Sequence, residues 1–145
     1  MNLFHIFRNS EDQVLKELKM DEELYGLANK HGVDNAGELL PVRVHPDTEF
    51  IDLPAYWSNL KKEFRDLVCR RGSKYDKVYD ELENAQNKFD TYFIPIIASG
   101  IALHLKSIEA AVLTPFVRLL VVSVSRLGKE AYCRDGKDLD PNSKI

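Results

Sequence analysis

The sequence predicts a mainly α, single-domain helical bundle, and three observations carry that prediction. Apolar residues recur at steps of three and four along much of the chain. Pro and Gly fall where helices would begin and end. The nearly uncharged region 93–124 is too interrupted to span a membrane and so reads as the centre of a packed core. A chain of 145 residues with 44% apolar and 30% charged residues can bury roughly 70% of its unfolded surface. The expected bundle has about five helices, with a central apolar C-terminal helix and one proline-rich extended loop. All of 1–145 forms one domain.

The first helix is expected from residue 11, because Ser10 followed by Gln13 has the form of a capping box. Val14, Leu15, Leu18, Leu24, Tyr25 and Ala28 continue at helical spacing. Asp21 is an equally good cap for a second helix, with a break at Met20. Gly32 suits the left-handed position that ends it. Ala28, Gly32 and Val33, within 27–40, are spaced so that the segment weakly resembles a DNA-binding helix-turn-helix. Gly37 and Pro41 would shorten its second helix and the segment is acidic, so no nucleic-acid partner is expected.

Residues 41–54 contain three prolines and predict the extended loop. His45, Asp47 and Glu49 alternate there, but no second ligand cluster accompanies them, and no metal or cofactor is expected. Leu53, Trp57, Leu60, Phe64 and Leu67 form one apolar seam, and Tyr75, Val78, Leu82, Ala85, Phe89 and Tyr92 form another. Joined at Arg71–Ser73 they predict an antiparallel helical hairpin. Pro95 fits the first turn of a helix reaching Leu105. Thr114-Pro115 predicts a further start and Gly128 its end. Helix is preferred to strand for 115–127, and Val121 is expected to be buried. Residues 129–145 read as a loosely ordered tail.

Lengths settle the membrane question at this level. The longest run without Asp, Glu, Lys or Arg is Thr91–Leu105, fifteen residues, whereas a spanning helix needs about 20. No transmembrane span is expected, and the N-terminal ten residues lack the form of a secretory signal. The two cysteines, Cys69 and Cys133, form no CxxC and suggest no disulfide framework, which fits a reducing cytoplasm.

The net charge of −3 is unevenly distributed. Residues 1–40 hold four basic and eight acidic groups, net −4, while 61–77 hold seven and three, net +4. Within the basic set Lys61, Lys62, Arg65, Arg70, Arg71, Lys74 and Lys77, the expected hairpin tip gathers Arg70, Arg71 and Lys74 as a candidate partner-binding patch. Nucleotide and nucleophile motifs are missing, and Cys69, although followed by Arg70 and Arg71, has no recognisable base. The reading is therefore a non-enzymatic helical interaction or regulatory module that self-associates, with its protein partner unknown. One alternative is a small ligand-binding protein or enzyme with a pocket among Trp57, Tyr92, Phe93 and His104. Another, weaker one is peripheral membrane binding.

Overall fold

The computed structural model describes residues 3–44, 53–70, 74–85, 92–105 and 110–134. Seven α-helices occur among them: α1 (Leu3–Met20), α2 (Glu22–His31), α3 (Val33–Val44), α4 (Leu53–Cys69), α5 (Asp76–Ala85), α6 (Phe93–Leu105) and α7 (Ala110–Leu127). A short π-helical turn, Glu130–Arg134, follows. The mainly α prediction holds, with seven α-helices among the described residues where about five were expected.

The middle of α7 is buried on every side, since all residues from Leu119 to Ser125 are buried. Only a helix surrounded by others can bury seven consecutive residues. It packs against α1, α6 and α3. Ion pairs Arg118–Glu17 (3.5 Å) and Arg126–Glu11 (3.8 Å) show that α1 runs antiparallel to α7. By length and composition α7 could also cross a membrane, but half of it lies inside the bundle. Phe7 ties three helices together, its ring centroid 6.2 Å from that of Phe64 on α4 and 5.5 Å from that of Phe93 on α6.

Several sequence signals were overruled by packing. Ser10 caps nothing; it is buried within α1, in the stripe Leu3, Phe7, Ser10, Val14 and Leu18. That stripe continues upstream of the capping box and outweighs it. Asp21 is the cap, accepting from the Leu24 N–H at 3.2 Å, and Gly32 takes φ 93°. Pro41 was expected to stand in extended chain, but α3 continues to Val44, and Leu53 and Pro54 already belong to α4. A proline inside a helix removes one backbone donor without forbidding another turn. The rest of the expected loop, 45–52, lies outside the described residues.

Thr114-Pro115 likewise lies inside α7 instead of starting it, with the Thr114 hydroxyl donating to the Ala110 carbonyl at 2.9 Å. Gly128 ends α7 as expected, at φ 92°. Helix α5 lies chiefly on α6, while the Tyr79 hydroxyl reaches back to the Val68 carbonyl of α4 at 3.4 Å. Gly100 explains the choice: a β-carbon there would approach Val78 Cγ2 to 2.6 Å, so only glycine lets Val78 seat on α6.

The largest departure concerns the cysteines. Cys69 and Cys133 are joined by a disulfide across a sequence separation of 64, with Cα atoms 5.5 Å apart. Residues 130–134, assigned to the loose tail, are thereby held against the end of α4. Spacing in sequence carries no information about two cysteines brought together by intervening helices. The remainder of that tail, 135–145, lies outside the described residues.

Candidate functional site

The basic residues singled out in 61–77 are mostly engaged with neighbouring groups. Lys61 donates to Asp34 Oδ1 at 3.0 Å, and the Trp57 indole N–H donates to the same oxygen at 3.1 Å. Arg65 donates to the Tyr132 carbonyl at 3.0 Å, its guanidinium 4.6 Å from that ring's centroid. Arg70 is exposed and lies 3.8 Å from Asp66, one helical turn back. Lys74 bridges both carboxylate oxygens of Glu63, at 2.9 and 2.8 Å. Arg71, the third residue of the expected tip patch, lies outside the described residues.

Glu63 is the centre of a small polar cluster that the sequence did not indicate. The Tyr75 hydroxyl donates to its Oε2 at 2.5 Å, and the His104 ring stands edge-on to Tyr75 with centroids 5.0 Å apart. Burial works to raise the Glu63 pKa, but the hydrogen bonds from Lys74 and Tyr75, with the charges of Lys74 and His104, outweigh it and hold the carboxyl below its ordinary value. Tyr75 moves strongly upward, first because it is buried and then because its proton is held by Glu63 and faces the charge of Asp66. A phenol so placed stays protonated, and the cluster ties α4 to the residues leading into α5 and to the end of α6.

Of the four residues proposed as an aromatic pocket, Trp57 stands on α4, Phe93 and His104 on α6, and Tyr92 just before α6. Trp57 is buried against Phe116 of α7, with ring centroids 6.0 Å apart. Phe93 is packed on Phe7. Tyr92 is 44% exposed. His104 is exposed at the end of α6, with its ring edge-on to Tyr75.

A different feature emerges on α6. The helix is apolar along most of its length, yet Tyr92, Pro95, Ser99 and Leu103, at helical spacing, all face solvent. Leu103 is 80% exposed. In the first turn of α7, Ala111 and Val112 are exposed too. The sequence did not reveal this stripe because α6 lacks a polar face whose position would mark the outside.

Among the described residues no group of three His, Cys, Asp or Glu is placed to hold a metal ion. No family model, curated protein or solved structure matches the chain.

Proposed function

We propose that the protein is a non-enzymatic helical interaction module that self-associates through the exposed face of α6. The carrying observation is Leu103, a leucine 80% exposed in line with Tyr92, Pro95 and Ser99. Exposed apolar stripes of this kind mark interfaces. A second copy of the chain suits the stripe for two reasons. Antiparallel pairing of α6 with its own copy sets Tyr92 of each helix near Leu103 of the other, the self-complementary arrangement that a two-fold axis requires. Thr91–Leu105 also carries no Asp, Glu, Lys or Arg, so like charges do not meet across that axis.

Sedimentation or light scattering over a hundredfold dilution tests this. The mass should fall toward 16.6 kDa on dilution, and Leu103→Glu should give the monomer mass throughout, with helical content retained because the position is exposed. A wild-type mass of one chain at every concentration, or an unchanged assembly in Leu103→Glu, would overturn the proposal.

A further inference from the structure

At the far end of α7 the chain turns through Gly128, and an open depression of about 710 Å³ is lined there by Arg8, Leu127, Gly128, Lys129, Glu130, Ala131 and Arg134. Three cations and one carboxylate give it a net +2. Arg8, Lys129 and Arg134 are exposed, and none of them forms an ion pair among the described residues. This sets them apart from Lys61, Arg70, Lys74, Arg118 and Arg126, each of which has an acidic neighbour within 4 Å. We propose that Arg8, Lys129 and Arg134 form a binding site for a phosphate-bearing ligand, and that the Cys69–Cys133 disulfide assembles it.

The three residues come from separate places and are brought together by definite devices. Arg8 lies on α1, and its Nη2 stands 3.6 Å from where a β-carbon at 128 would be, so the guanidinium lies beside the turn. Arg134 directly follows Cys133, whose bond to Cys69 holds it, and Arg65 grips the intervening Tyr132 from ring and carbonyl. Lys129 lies between Gly128 and that anchored turn.

The negative end of the α7 dipole gives a competing account of Lys129, and a weak one at an exposed position. It does not account for Arg8, on another helix, or for Arg134, held beyond the last turn. Two guanidinium groups suit phosphate in particular, since each presents paired donors to its oxygens. Among the described residues the lining contains no aromatic ring, so the proposed recognition is of the phosphate and not of an attached base.

Calorimetric titration of the oxidised full chain with tripolyphosphate, at fixed ionic strength, is the test. Saturable binding is expected. Arg8→Gln and Arg134→Gln should each weaken it about tenfold, while Arg70→Gln, an exposed cation elsewhere, changes it less than about twofold. Reduction with dithiothreitol, with helicity checked by circular dichroism, should also weaken it about tenfold by releasing Arg134. Co-sedimentation with vesicles containing phosphatidic acid identifies the source of the phosphate: Arg8-dependent pelleting indicates a lipid headgroup, and tripolyphosphate binding without pelleting indicates a soluble ligand. No binding beyond a chloride control, or equal losses from Arg70→Gln and Arg8→Gln, refutes the site. Unchanged affinity after reduction refutes its dependence on the disulfide.

Discussion

Trp57 occupies the space where a side chain on Gly37 would project: a β-carbon there would lie 2.3 Å from the indole. The glycine that weakens α3 intrinsically thus provides the seat for the largest residue in the core, whose indole N–H is satisfied by Asp34. Gly37→Ala should destabilise the protein by about 1 to 3 kcal/mol, as overpacking does, despite the better helix propensity of alanine. Because Trp57 is the chain's one tryptophan, its emission should shift to longer wavelength as the ring is displaced, and thermal melting gives the cost. A more stable variant with unchanged emission would contradict this packing.

Glu63 and Tyr75 make stability depend on pH from both sides. A carboxyl with a lowered folded pKa contributes stability above the ordinary carboxyl value, about 4.3, which is lost as pH falls through the folded value. A phenol with a raised folded pKa contributes below about 10, and that contribution is lost as pH climbs. Tyr75→Phe should therefore melt lower at neutral pH, by the roughly 1.5 to 3 kcal/mol of a hydrogen bond to a charged group. It should also decline less steeply than wild type between pH 10 and 11, about where the unfolded phenol ionises. Parallel alkaline slopes for the two proteins would show that the phenol does not carry this dependence.

Among the elements, the C-terminal turn depends most on a single bond. Closing a loop across 64 residues restricts the unfolded chain, and disulfides of this kind contribute on the order of 2 to 4 kcal/mol. Cys69→Ser with Cys133→Ser should lower the melting point while amide exchange accelerates chiefly over 128–134. Uniform acceleration across all helices would mean that the bond holds the whole fold and not this turn.

The elements also show what the sequence made legible. Seams with internal apolar period, such as Trp57, Leu60, Phe64 and Leu67, were readable because burial on one face forces the three-four spacing. Caps were less readable, since Ser10 and Thr114 have capping chemistry but stand on helices whose packing continues past them. Which helix α5 would choose depended on Gly100 and Val78, twenty-two positions apart, and no local pattern reports such a fit. Of the residues nominated for binding, Lys74 and Arg70 have acidic neighbours, Glu63 and Asp66, both from within the same basic stretch. The cations Arg8, Lys129 and Arg134 were scattered in sequence and acquired meaning only through the fold.

For the whole molecule, α7 is the axis on which the other layers depend. Val121 is fully buried at its middle, as expected from its place in the apolar region. Val121→Asp would leave an unpaired charge there, at a cost of several kcal/mol against a total stability of about 5 to 15. Loss of the cooperative transition in circular dichroism is the expected result. A cooperatively melting variant would show that α7 can be loosened without loss of the bundle.

The disulfide gives the chain a covalent ring that encloses α5, α6 and α7. Under tension applied at the two termini, force passes through the bond and bypasses those three helices. The span of 64 residues cannot pay out while the bond holds, so the fully stretched oxidised chain is shorter than the reduced one by about 220 Å at roughly 3.4 Å per residue. The central helix is thus shielded from mechanical load, although it remains as open to heat as the rest of the bundle.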